Sequence, residues 1–340
     1  MKQTKAVFVV SLDFELYWGW RDVCDLESLK PSLMNVRPTV LRLLELFQKH
    51  EIHATWATVG FLFFANRYQL LRGLPSVTPN YLDDTLSPYS EITGLGHDEK
   101  DDPFHYAPSL IEAILETPHQ ELGTHTFSHY YCLEDGQTLA SFKSDLDAAI
   151  GIAKHWEVEL RSLVFPRNQV NPDYLQACAD AGIQAYRGAG HHWMYRERKR
   201  CRESLVRRAC RLLDAYVNLS GHNTFEIKRT LCAYPFNIPA SRFLRPYSAR
   251  LRSFEGVRLH RICRGLDFAV NHGHAYHLWF HPEDLAMDLE NNLAFLARVL
   301  RHFEALRDRG AIESLNMREL ATRLAGSPSA FSNDNCSARV

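Results

Sequence analysis

AVFVVSLDFELYWGW, residues 6–20, is the stretch from which the fold of this chain can be read. Residues 6–12 are mostly apolar and rich in valine, the composition of a buried strand. On a strand, residues two apart share a face, so Asp13 and Glu15 project together from its C-terminal end. The C-terminal ends of parallel strands are where α/β proteins build their active sites. Two like charges in one pocket repel, so each needs a metal, an Arg or a shared proton. A pair of solvated loop acids is the plainer alternative, but it fits poorly beside the apolar residues on either side, 7–12 and 16–20.

Outward from this strand the chain alternates strand-like and helix-like segments. Residues 38–50 carry apolar side chains at helical spacing, with Pro38 suited to a first turn. Strands are expected at 52–59, 120–124, 162–165, 183–186, 275–280 and 312–315. Helices are expected at 108–115, 139–156, 172–181 and 289–309, the third of them ended by Gly182. Such alternation argues for a parallel sheet, closed or wound, with helices outside.

The length of 340 residues allows one large α/β barrel or two domains, and no Pro/Gly/Ser-rich linker divides it. A hydrophobic content of 46% is enough for a full core. No run of 18 apolar residues occurs, and the apolar N-terminal run is too soon interrupted by Asp13 for a signal peptide. Eight cysteines without C-x-x-C spacing read as reduced thiols of a cytoplasmic protein.

Two segments break the alternation. Residues 81–106 include HDEKDD and read as a solvated loop or as a lid or wall near the site. Residues 187–264 carry 18 Lys and Arg against 5 Asp and Glu in a chain of net charge −1, with a basic helix expected at 196–211. That asymmetry suggests attraction to phosphate, on a nucleotide sugar, a lipid-linked glycan or a membrane surface. No nucleic-acid motif accompanies the charge, so nucleic acid is not expected as a partner.

The second chemical signal is ELGTHTFSHYYC, residues 121–132. His125 and His129 stand four apart, a spacing at which two imidazoles on one helical turn face the same way and suit a divalent metal. With 17 histidines in the chain, about one such pair is expected by chance, and His277 and His281 form another. What raises the first pair is its company, Asp13 and Glu15.

Taken together, SLDFE at 11–15, HTFSH at 125–129, VFPRN at 164–168 and HLWFHP at 277–282 resemble the polysaccharide deacetylases, the NodB-homology domain of carbohydrate esterase family 4. The pieces follow the family's order across most of the chain. The resemblance implies a distorted (β/α)7-type barrel over residues 1–325, with insertions around 81–106 and 190–264 and a disordered tail at 326–340. It implies Glu15, His125 and His129 as ligands of one divalent metal, Zn2+ first, with Co2+, Ni2+ or Mn2+ as alternatives. It implies Asp13 as general base, His281 as general acid and the backbone N–H of Arg167 as oxyanion donor.

Two departures stand out. Many relatives carry an Arg two residues before the Phe-Pro proline; here Val164 occupies that place, leaving Arg167 or Arg187 to pair with Asp13. The family's Asp–Trp motif, which steadies the late histidine, has no clear counterpart. Leu278 or Trp279 is expected to line the acetyl pocket. Tyr17, Trp18 and Trp20 read either as sugar-stacking residues or as rim packing, and His277 as a satisfied core histidine.

The expected activity is removal of an N-acetyl group from an acetamido sugar, a precursor of surface polysaccharide that bears phosphate through a nucleotide or lipid, with peripheral membrane contact allowed. The alternatives are a non-catalytic glycan-binding protein, a deformylase, or a glycoside hydrolase using Asp13 and Glu15.

Overall fold

The computed structural model describes residues 5–190, 192–196, 204–228 and 233–326. The strands are β1 (Ala6–Phe14), β2 (Ala54–Thr58), β3 (Gln120–Thr124), β4 (Ser162–Val164), β5 (Ala185–Arg187), β6 (Phe236–Asn237), β7 (Arg242–Phe243), β8 (Ala275–Phe280) and β9 (Ile312–Ser314). The helices are α1 (Leu26–Leu33), α2 (Val36–His50), α3 (Arg67–Arg72), α4 (Pro108–Glu116), α5 (Leu139–His155), α6 (Leu175–Asp180), α7 (Leu205–Asp214), α8 (Glu255–His272), α9 (Pro282–Ala286), α10 (Leu289–Arg307) and α11 (Met317–Ala325). The sheet runs β6-β5-β4-β3-β2-β1-β8-β7, with β9 added at the start of β1, and every pairing is parallel.

Residues 236–244 close the curl. Phe236, Ile238 and Ala240 donate backbone N–H groups to Gln184, Tyr186 and Gly188 on the β5 side. Ser241 and Leu244 then donate to His277 and Trp279 on β8. One passing segment thus serves as the seventh stave, and the architecture is the (β/α)7-type barrel that the sequence leads one to expect.

All nine residues of β1 are buried, because one face looks into the barrel and the other onto the helices. Phe8, Val10, Leu12 and Phe14 join Val40 and Phe47 of α2 and Val299 and Phe303 of α10 in the outer core. Val7 and Val9 face inward and pack with Met317, Leu320 and Leu324 of α11, which plugs the N-terminal mouth. Ser11 and Asp13 continue that inward face, so the barrel interior turns from apolar to polar toward its C-terminal mouth.

Each strand and long helix expected from the sequence has a counterpart within a few residues. β6, β7 and the first half of α8 lie in the stretch read as an insertion; two-residue strands carry too little pattern to find, and α8 buries Arg258 and Arg261 where apolar residues are expected. The basic helix expected at 196–211 begins only at Leu205, after the Ser204 cap, and residues 197–203 lie outside the described residues, as does 327–340 of the tail. No helix among the described residues is long and apolar enough to cross a membrane.

The loop after β3 docks on the turn after β2 through Gly60 N–H to Thr126 O (2.9 Å) and Phe61 N–H to Phe127 O (3.1 Å). A Cβ on Gly60 would sit 2.8 Å from the Phe127 Cα, a backbone atom that cannot swing aside. Gly60→Ala is therefore expected to lower unfolding free energy by about 1–3 kcal/mol, measured by denaturant titration.

Candidate active site

Beyond β1 the chain turns sharply, with Leu16 in the left-handed region at φ 47°. The buried Glu283 at the start of α9 holds this turn, its Oε1 accepting from Leu16 N–H at 2.6 Å and Glu15 N–H at 3.3 Å. Burial, with the neighbouring charge of Glu15, pushes the Glu283 carboxyl up to about 8. The turn aims the Glu15 side chain back over the barrel mouth.

The histidines come from the loop after β3 and not from the helical turn that their spacing suggested. Thr126 and His129 both adopt left-handed backbone, at φ 63° and 58°. Thr126 Oγ1 accepts from Tyr130 N–H at 2.7 Å, and buried Asp145 of α5 accepts from Phe127 N–H (2.7 Å), Ser128 N–H (3.1 Å) and the Ser128 hydroxyl. Burial pushes Asp145 up to about 6 even with these donors, so it remains mostly ionised at neutral pH. A buried carboxylate inside the loop thus offsets the cost of its unusual backbone.

Both Nε2 atoms converge on Glu15 Oε2, at 3.2 Å from His125 and 3.1 Å from His129. His125 Nδ1 is 2.8 Å from Val164 O, so it carries the proton and leaves the Nε2 lone pair facing Glu15. His129 Nδ1 lies 3.1 Å from the Tyr131 hydroxyl, and burial pushes this imidazole down, toward the neutral form. Burial raises Glu15, but the charge of His281 outweighs it and holds the carboxyl well below its usual range. Two imidazole lone pairs and a carboxylate oxygen around one point repel unless a positive charge lies between them, and such an N2O set with open positions suits a divalent metal.

Asp13 is settled differently. Arg187 of β5 grips it with two parallel bonds, Nη1 to Oδ1 at 2.6 Å and Nη2 to Oδ2 at 2.7 Å, and both side chains are buried. Of the two arginines that the sequence left open, Arg187 makes this pair; the Arg167 side chain turns away to Asp22 and lies over the Tyr131 ring. Asn168 Oδ1 accepts from Arg187 Nε (3.1 Å) and Nη2 (2.9 Å), made available by consecutive left-handed residues Arg167 and Asn168. Burial raises Asp13, but the charge and hydrogen bonds of Arg187 hold it below the ordinary carboxylate range.

His281 follows β8 and stands at the mouth, its Nε2 3.7 Å from Asp13 and 3.9 Å from Glu15. Its Nδ1 is 2.8 Å from Asp284, a residue the sequence reading did not single out. Asp284 places a carboxylate on His281 although the family's Asp–Trp motif is absent; the signal is its i+3 position at a helix start made by Pro282. Burial lowers His281, but Glu15, Asp284 and Asp13 outweigh it and lift it to about 10. His277 is a satisfied core histidine between Ile238 O and the Ser11 hydroxyl, which itself accepts from Arg187. Burial and the Arg187 charge push it down to about 3, so it stays neutral.

The three substrate-binding candidates separate. Trp18 is fully buried, 4.6 Å from the Phe61 ring with its Nε1 donating to His105 O, and has no face for a sugar. Leu278 falls one residue out of phase with His277 and Trp279 and is buried in the outer core. Trp279 faces the site, partly exposed, with Arg187 4.2 Å from its ring.

A parallel barrel with a carboxylate–imidazole cluster and an ion-paired Asp at its C-terminal mouth defines the class. Residues 33–186 match the family model "Polysaccharide deacetylase". The match begins after Asp13 and Glu15 and ends before His281. A putative polysaccharide deacetylase from Mycobacterium smegmatis shares the fold at 12% identity, covering 95% of this chain and 91% of that one, with a TM-score of 0.58. A probable polysaccharide deacetylase from Pseudomonas aeruginosa PAO1 does so at 9% identity, 95% and 92% coverage and a TM-score of 0.52. A 4-alpha-glucanotransferase from Thermococcus litoralis reaches a TM-score of 0.52 at 9% identity, over 94% of this chain and 40% of that one. At such identities these structures establish the fold alone. No curated protein sequence matches the chain.

Removing the guanidinium would strand a buried carboxylate. Arg187→Met is expected to cost about 3–5 kcal/mol in urea unfolding.

Proposed function

We propose that this chain is a metal-dependent hydrolase that removes the acetyl group from the nitrogen of an acetamido sugar. The observation that carries the reading is the convergence of His125 Nε2, His129 Nε2 and Glu15 Oε2, with Asp13 and His281 alongside. A divalent ion held by those three atoms, zinc by preference, would lower the pKa of a water and polarise the acetyl carbonyl.

The remaining work belongs to the chain. Asp13, kept ionised by Arg187, accepts the proton of the attacking water. The backbone N–H of Arg167, in the turn after β4, is the donor for the oxyanion. His281 Nε2 gives its proton to the departing amine as the amide C–N bond breaks, and Asp284 on Nδ1 fixes its tautomer and supports its charge. The products are acetate and a free amino sugar. Trp279, beneath Arg187, forms the wall of the acetyl pocket.

Glycoside hydrolysis by Asp13 and Glu15 needs one of the two to hold a proton near neutrality. Both are instead held below their ordinary range, Asp13 by Arg187 and Glu15 by the His281 charge, which favours the deacetylase. The basic excess in 187–264 favours a phosphate-bearing precursor as substrate, and with it a cytoplasmic place of action.

The test is acetate release from a panel of N-acetylated sugars and sugar nucleotides, with and without chelator. The expected result is chelator-sensitive release that Asp13→Asn lowers by about 10²–10⁴-fold with metal content retained. Release that survives both chelator and Asp13→Asn would rule the mechanism out.

A further inference from the structure

Helix α7 is mounted inside out. Surface helices of globular proteins turn their apolar stripe to the core. Here the buried positions are Arg207 and Asp214, whereas Leu205 is 79% exposed, Val206 69% and Leu213 56%. The polar side is firmly held. Arg207 Nε donates to Met194 O at 2.7 Å, and Asp214 accepts from Arg242, Tyr195 and Ser220. The apolar display continues past the helix through Val217 and Leu219, and Tyr216 meets the exposed Phe254 ring at 6.2 Å. Polar anchors that leave several large aliphatic side chains in water mark a surface made for contact.

Charge indicates the partner. Beside this face Arg208 of α7 and Arg250 and Arg252, in the turn that ends at Phe254, are exposed, and no acid is exposed in 204–220 or 249–254. A second copy meeting this face through a two-fold axis would set arginines against arginines. An anionic bilayer offers both an apolar layer for the leucines and phosphate for the guanidinium groups. The position also fits. Asp214 is tied to Arg242 of β7, and the next residue, Phe243, packs its ring 5.8 Å from that of His281.

We propose that the exposed face of α7, with Phe254 beside it, docks this protein on an anionic lipid surface and brings the barrel mouth to the lipid–water boundary. Docking goes beyond the deacetylase reading and is measured without it, so either can fail alone.

The experiment is co-sedimentation of the full chain with vesicles of phosphatidylglycerol and phosphatidylcholine, or of phosphatidylcholine alone, at low and high salt. A double variant, Val206→Glu with Leu213→Glu, is run beside the wild type; both positions are exposed, and an unchanged thermal midpoint verifies its fold. The expected result is binding to the anionic vesicles only, weakened by salt and lowered more than about tenfold in the variant. Wild type that stays in the supernatant, or a variant that binds equally, would overturn the proposal. So would a wild-type dimer in sedimentation velocity that the variant converts to monomer, since that would assign the face to a second copy.

Discussion

Two carboxylates two residues apart on the inward face of a buried strand cannot both stay ionised without separate counter-charges. Much of the barrel mouth follows from meeting that demand twice. Asp13 receives a bidentate arginine from β5. Glu15, one step further out, receives two imidazoles whose lone pairs themselves require a positive charge. The pair is thereby divided into one carboxylate held charged and oriented by an arginine and another set against two imidazole nitrogens, the arrangement that our proposal reads as a cation site. Two neighbouring residues of the same chemistry acquire different roles through their surroundings alone.

The supporting residues explain how unusual backbone persists around these groups. Leu16, Thr126, His129, Arg167 and Asn168 all sit in the left-handed region, costly for residues with a Cβ. Each turn is braced: Glu283 accepts from Glu15 and Leu16, Asp145 from Phe127 and Ser128, and Asn168 itself braces Arg187. The braces come from α9, α5 and the β4 turn, so the site is built on packed elements and not on free loops. Gly60 serves the same end by lacking a side chain where the histidine loop crosses.

How much of this was legible in the sequence depends on how far apart the partners are in the chain. The strand β1, its two acids, the histidine pair and His281 could be read because period-two spacing and short motifs are local. Arg187 could be named only as one of two choices, because which arginine reaches Asp13 is set by the order of staves across a separation of 174 positions. Asp284 was missed although it stands three residues from His281, since the family pattern directed attention elsewhere. The resemblance allows Leu278 or Trp279 in the acetyl pocket, and Trp18 reads as sugar-stacking or rim packing; strand parity turns Leu278 outward, and the turn after β1 sinks Trp18 against Phe61. The inside-out mounting of α7 could not be seen at all, because amphipathicity states which face is apolar and not which way it points.

The account stands on the claim that Glu15, His125 and His129 hold one divalent cation. Anomalous diffraction at the zinc edge from crystals grown with zinc tests it most directly. The prediction is a single strong peak about 2.0–2.2 Å from His125 Nε2, His129 Nε2 and Glu15 Oε2. A peak only at the other compatible cluster among the described residues, His53, His119 and Glu319 at the opposite end of the barrel, or no peak at the mouth, would contradict it.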